Sequence, residues 1–206
     1  MARYTGPKNR IARREGQDLG FKTPGSSAHA SLLRKINIPP GMHGQKRKRK
    51  PSEYAIQLRE KQKAKRIYGT LERQFKNYFQ EALKKKATTG EALLQRLETR
   101  LDNVIFRLAL CPTRAGARQL VSHGHVLVDG KKVNIPSFSV KKDQVIALSD
   151  KATKIPAVAK MLEDKNPHLP AWLERKGPFG KVLKIPSRDE IETELDESQI
   201  VEYYSR

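Results

Sequence analysis

The chain has 206 residues, enough for one or two domains with a real core. Its 42 Lys and Arg against 22 Asp and Glu leave a formal charge of +20, far beyond what solubility needs, which points to a polyanionic partner. The single cysteine, Cys111, excludes an intramolecular disulfide and a cysteine-built zinc site. With no apolar run near the roughly 20 residues that span a bilayer, and no signal-peptide core at the N-terminus, the expectation is a soluble, cytoplasmic protein with no membrane partner.

Only 37% of the residues are hydrophobic and 6% aromatic, so part of the chain is expected to order only against its partner. Residues 1–50 hold 13 basic and 2 acidic residues with scattered Gly and Pro and almost no apolar periodicity, and read as an extended basic arm. Its densest charge, Lys46-Arg47-Lys48-Arg49-Lys50, reads as a phosphate-contacting segment rather than a solvated linker or a nuclear localisation signal. His29 and His43 lack acid or thiol neighbours in sequence and read as polar loop residues, not metal ligands.

Ser52 can cap a helix running to about Tyr68, with Gly69 as its terminator. Arg59, Lys61, Lys63, Lys65 and Arg66 give that helix a basic surface. Thr70 is expected to open the next helix, where Leu71, Phe75, Tyr78, Phe79, Ala82 and Leu83 share a core stripe and Lys84-Lys85-Lys86 complement the C-terminal dipole. Thr88 and Glu91 form a capping box for a long helix through Leu93, Leu94, Leu97, Leu101, Val104, Ile105 and Leu108, ended by Pro112.

Thr113 can cap a short helix with apolar Ala117, Leu120 and Val121, and Gly124 stands where a helix C-terminus needs positive φ. Asp129-Gly130 between Val126/Val128 and Val133/Ile135 signals a hairpin. Phe138-Ser139-Val140 and residues 145–148 predict two further antiparallel strands. Arg114 and Arg118, four apart, share a helix face, and His123, His125, Lys131 and Lys132 follow on the same expected surface.

Beyond this, Pro156 can start a short helix that stops before Asn166-Pro167. Trp172-Leu173 and Val182-Leu183 flank a hairpin turn at 176–180, and Ser187 with Glu190 forms a capping box. From Asp189 onward there are 7 acids and one base, a segment that RNA would repel. Its apolar residues Ile191, Leu195, Ile200, Val201, Tyr203 and Tyr204 are expected to pack back on the body, with the acids turned towards a neighbouring protein.

No catalytic constellation is present: no nucleophile elbow, Walker or dinucleotide glycine pattern, or paired His-Glu metal spacing. His123-x-His125 lacks a third ligand nearby and suits phosphate or 2′-hydroxyl contacts better than a metal. Cys111 before Pro112 reads as a small buried thiol. The expectation is a non-enzyme without cofactor, metal or small-molecule substrate.

Residues 97–121, position by position, and the 124–130 hairpin resemble the small RNA-binding domain named after small ribosomal subunit protein four. Arg3-Tyr4-x-Gly6-Pro7, Pro39-Pro40-Gly41-x-His43-Gly44 and Tyr203-Tyr204-Ser205-Arg206 extend the likeness to the bacterial family of that name along its full length. Many members carry a four-cysteine zinc knuckle in the arm. Asn9, Ala12, Ser26 and Ser31 stand at those positions here, so the chain resembles the zinc-free branch.

The resemblance implies a structural protein of the small ribosomal subunit that binds the 5′ domain of small-subunit rRNA at a multi-helix junction and nucleates assembly. It also implies a neighbouring ribosomal protein five that influences accuracy, and mRNA where it enters the subunit. An RNA-modifying enzyme and a ribosome rescue factor carrying the same small domain are the rival readings.

The expected fold is α+β: an arm (1–50), a helical body (51–95 with 151–206) and the RNA-binding domain (96–150). Expected RNA contacts are Arg3, Lys8, Arg10, Arg13, Arg14, Lys46, Arg47, Lys48, Arg49, Lys50, Arg59, Lys63, Arg66, Arg114, Arg118, His123, His125, Lys131 and Lys132. Glu190, Glu194, Glu197, Glu202, Tyr203 and Tyr204 are the expected protein-facing residues.

Overall fold

The computed structural model describes residues 4–46, 50–85, 88–164 and 167–206. In chain order the elements are α1 (Lys8–Glu15), α2 (Ser27–Leu33), α3 (Glu53–Ile67), α4 (Glu72–Leu83), α5 (Thr89–Glu98), α6 (Leu101–Arg107), α7 (Arg114–Ser122), β1 (Val126–Val128), β2 (Lys131–Lys132), β3 (Val145–Leu148), α8 (Asp150–Thr153), α9 (Pro156–Glu163), β4 (Leu173–Lys176), β5 (Phe179–Val182) and α10 (Glu197–Ser205), with a 3-10 turn at Arg188–Glu190. They form two units, Met1–Gly90 with Glu194–Arg206, and Glu91–Thr193.

In the first unit the arm is less extended than its composition suggests. α1 closes at Gly16, whose φ of 69° only glycine takes without strain. α2 is capped by the Ser26 hydroxyl, which accepts the His29 N–H at 3.2 Å. Ala12, Leu19 and Leu32 are buried, too few apolar positions for periodicity to reveal.

Ser52 caps α3 by accepting the Ala55 N–H, and Gly69 follows its end. The N-cap of α4 is Leu71, one residue after Thr70, because Thr70 is buried and its hydroxyl donates back to the Lys65 carbonyl. Phe75, Tyr78, Phe79 and Ala82 are buried while Leu71 and Leu83 are exposed, so the stripe is narrower than the sequence implies. α10, capped by Asp196, returns against α3, burying Ile200 and stacking Tyr204 on Phe79 at 4.5 Å between centroids.

In the second unit the expected long helix is two helices. Arg100 is extended (φ −68°, ψ 137°) because the chain there pairs as a strand would: it bridges Ser139, and the Leu101 N–H donates to the Phe138 carbonyl and the Val140 N–H to the Thr99 carbonyl. Those bonds use Phe138-Ser139-Val140, which is why that segment forms an isolated bridge and no further strand.

The hairpin holds: Asp129 and Gly130 both take positive φ (49° and 76°), the geometry of a type I′ turn. The sheet is wholly antiparallel, in the order β2-β1-β3-β5-β4. β5 pairs Ile146 with Gly180, and a Cβ on Gly180 would meet Leu108 at 2.4 Å, so the late hairpin lies directly on α6. From β4, Arg175 donates to the carbonyls of Ala109 (2.9 Å) and Met161 (2.8 Å).

Much of 151–193 therefore packs with the small sheet, in the same unit as residues 96–150. Trp172, Leu173 and Val182 share one core with Leu101, Ile105, Leu120, Val126 and Ile146.

Candidate nucleic-acid interface

The Thr113 hydroxyl caps α7 by accepting the Gly116 N–H at 3.1 Å, and Ala117, Leu120 and Val121 bury one face. Arg114 and Arg118 do share another face, but that face lies on α6. Arg118 reaches Asp102 at 3.6 Å with its side chain 11% exposed. Arg114 donates from Nε to Asn103 Oδ1 at 2.8 Å and stacks its guanidinium 4.3 Å over Phe106.

Behind them is a buried polar network. Arg100, fully buried, donates to both Asp102 oxygens (3.0 and 2.6 Å). Asn103 donates to the Glu98 carboxylate at 2.6 Å, and Arg107 binds both Glu98 oxygens before reaching Glu192 and Thr193. Such charges must be partnered to be buried at all. Their function here is to fix α6 against α7 and aim what α7 carries next. Single-sequence reasoning missed Glu98, Asp102 and Asn103, since on a helical pattern they look like solvated polar positions.

At the end of α7, Gly124 (φ 69°) turns the chain into β1, and a Cβ there would meet Lys132 Cε at 2.3 Å. The aliphatic stem of Lys132 thus lies across Gly124, and the rings of His123 and His125 on either side of that glycine in sequence stand 6.2 Å apart. His123, Lys131 and Lys132 are exposed and His125 is half-buried.

The Asp129 carboxylate accepts the Val145 N–H and the Gln144 amide, both at 2.9 Å, tying the 141–145 turn to the hairpin. Exposed Lys141 and Lys142, read from sequence only as turn residues, join the same end of the unit. Preset ammonium and imidazole groups on a rigid hairpin suit phosphate and 2′-hydroxyl oxygens.

In the first unit the expected contacts divide. Arg10, Arg14, Lys46 and Lys50 are exposed, and Lys8 is half-buried. Arg3, Arg47, Lys48 and Arg49 lie outside the described residues, as does Lys86. Arg13 donates to the carbonyls of Ile38 (2.8 Å) and Pro39 (3.2 Å).

Arg59 and Arg66 both bind Glu15, whose side chain is 2% exposed; burial lowers the Arg66 pKa. Lys63 pairs with Glu60 at 3.7 Å. Lys61 and Lys65 hold Glu72 at 2.6 and 2.8 Å. Burial alone would raise the Glu72 pKa, but the two lysine hydrogen bonds and their charges outweigh it and hold the carboxyl down to about 2.

The expected protein-facing residues are also engaged within their own units. Glu190 closes the capping box with Ser187 and pairs with Lys184. Glu194 accepts from Gln17 at 3.1 Å and Glu202 from Gln57 at 2.8 Å, while the Glu197 side chain lies against Gly90. Tyr203 sits 4.4 Å under the Lys61 ammonium, and the Tyr204 hydroxyl donates to Glu72 at 3.1 Å.

The residues at the zinc-knuckle positions do not fit a metal: Ala12 is fully buried without a donor atom, and the Ser26 hydroxyl is used by the α2 cap. His29 binds Asp18 at 2.7 Å. Among the described residues no group of three His, Cys, Asp or Glu side chains could hold a metal ion. Burial pushes the Cys111 thiol up, away from the thiolate a nucleophile needs.

Comparison with known proteins matches residues 3–98 to the ribosomal protein S4/S9 N-terminal domain and residues 99–146 to the S4 domain. The second match stops within β3, so β4 and β5 extend the sheet past it. Small ribosomal subunit protein uS4 of Bacteroides thetaiotaomicron is 52% identical over 208 residues, covering 100% of both chains. Small ribosomal subunit protein uS4A of Symbiobacterium thermophilum is 49% identical, also over 100% of both, and uS4 of Xylella fastidiosa 51% identical over 210 residues with the same coverage.

Proposed function

Since the chain belongs to the small ribosomal subunit protein uS4 family, we propose that it binds the 5′ domain of small-subunit rRNA at a multi-helix junction and nucleates assembly there. It is a structural protein of the cytoplasmic small subunit and not an enzyme. The observation that carries the rRNA reading is the hairpin end of the second unit. There exposed His123, Lys131 and Lys132 stand beside half-buried His125 on a scaffold that the buried Arg100 and Asp102 network braces. The arm adds Arg10, Arg14, Lys46 and Lys50, with Arg3 and Arg47 to Arg49 from the sequence.

A-form major grooves are too deep for side chains to read, so recognition is by shape, through phosphates and 2′-hydroxyls. Arg114 and Arg118 act mainly by positioning α7, and Arg59 and Arg66 by holding α3 to Glu15 of α1, while Lys63 pairs with Glu60 inside α3; phosphate contact comes through whatever donors they have left. The acidic edge with exposed Glu194 and Glu202 is the side offered to ribosomal protein five, through which accuracy is influenced, and the basic arm faces mRNA where it enters the subunit.

The test is binding of the full chain to small-subunit rRNA across salt. With about six to ten phosphates neutralised, affinity falls roughly 10³- to 10⁵-fold between ~50 and ~200 mM salt. A flat profile overturns the reading. Loss of the protein from purified subunits on a high-salt wash would instead favour a transiently bound rescue factor.

A further inference from the structure

Beside α1, the segment from Ile38 to Gln45 is a braced loop. Arg13 donates to its Ile38 and Pro39 carbonyls. Gly41 takes a φ of 106°, and the Gly44 N–H returns to the Gly41 carbonyl at 3.1 Å. The Pro39 carbonyl oxygen lies only 2.0 Å from where a Gly44 Cβ would stand. Every one of these features fixes the backbone, yet the side chain at the tip, Met42, is 94% exposed and Ile38 is 37% exposed.

A loop held this firmly around an unburied thioether is shaped to present it. Between Met42 and Arg13 lies a recess of about 340 Å³, bordered by Ile38 and the exposed Lys35.

We propose that this recess seats one nucleotide extruded from the bound RNA, its base against Met42 and Ile38 and its phosphate by Lys35 and Arg13. The proposal rests on the rRNA reading above and adds a defined contact to it. An unstacked base offers a flat apolar face, and polarizable Met and Ile side chains can cover it as aromatic rings do in single-strand binders. Charge decides against a protein occupant: residues 1–50 carry 13 basic and 2 acidic residues, and both cations at the recess favour a phosphate.

The test is Met42→Ser with Ile38→Ser in the full chain, titrated with small-subunit rRNA across salt and followed by nucleotide-resolution chemical probing. Met42 is 94% exposed, so Met42→Ser alone should keep the parent's melting profile and still weaken binding, which separates loss of the contact from any folding cost at Ile38, 37% exposed. Affinity should fall about three- to thirtyfold, the scale of losing one or two partly buried apolar side chains. The salt slope should not change, because no phosphate contact is removed. One nucleotide protected by the parent should become reactive.

Unchanged affinity and probing with a parent that binds normally overturns the proposal and leaves the rRNA reading intact. So does a defect that appears only when other subunit proteins are added, which would make the loop a protein contact. Failure of the parent itself to bind overturns the rRNA reading instead.

Discussion

The two units use charge in opposite ways. The second encloses a large apolar core and sets its charges inside it, so that Arg100, Asp102, Glu98 and Arg107 fix the angle between short helices. The first has fewer apolar residues to bury and is tied together by polar links between its elements: Glu15 to Arg59 and Arg66, Glu72 to Lys61 and Lys65 of the preceding helix and to the distant Tyr204, and Glu202 to Gln57. A net charge of +20 therefore overstates the cation supply available to RNA, because many of the arginines and lysines are occupied holding acids.

The sequence also supplies separate reporters, since its one tryptophan, Trp172, lies in the second unit and all six tyrosines lie in the first. The largest effect should come from Asp102→Ala, which removes the carboxylate that accepts two hydrogen bonds from the fully buried Arg100. We expect a loss of about 3–5 kcal/mol, read as a lower urea midpoint in Trp172 fluorescence, and a loss below ~1 kcal/mol would show that the network does not set the second unit's stability.

Glu15→Ala should cost less, about 1–3 kcal/mol, the scale of a desolvated, unpaired charge that water can still partly reach. It should register in tyrosine near-ultraviolet circular dichroism and leave the Trp172 transition in place. If both signals shift together, the two units do not differ in the way described.

Lys131→Ala with Lys132→Ala should leave both unfolding transitions unchanged. The rRNA salt slope should drop by about two and affinity by roughly tenfold at moderate salt. This pair is the sharper test of the interface than Arg114 or Arg118, whose removal would also disturb the packing of α7 on α6.

The smallest effect is in acid. Glu72 has a folded pKa of about 2, below that of an unfolded carboxylate, so its stabilisation is complete above about pH 4.5. It is lost as the pH falls from there through about 2. Glu72→Gln should flatten the acid limb of the tyrosine signal over that window and leave the Trp172 limb as it is.

Caps and turns were legible from local chemistry. Thr113, Ser52, Pro156 and the Ser187 with Glu190 pair sit where the sequence puts them, as do Gly124 and Asp129-Gly130. The break at Arg100 was not legible, because Leu97, Leu101 and Ile105 keep helical spacing across it; the hydrogen bonds that stop the helix come from residues nearly forty positions later.

The pairing of β5 with β3 was not legible either, because a partner such as Gly180 for Ile146 leaves no mark in either local segment. The surface position of His123, Lys131 and Lys132 around the hairpin could be read from the pattern. The engagement of Arg114 and Arg118 could not, since a helical wheel places two arginines on one face without saying what that face meets.

By itself the sequence determined the charge, and with it the class of partner, together with the ends of most helices and the hairpin turn, since these depend on residues within a few positions of one another. Only the tertiary structure decided which cations remain open to RNA. That outcome depends on where Asp102, Asn103, Glu15 and Glu72 come to rest, and long-range packing brings the groups together.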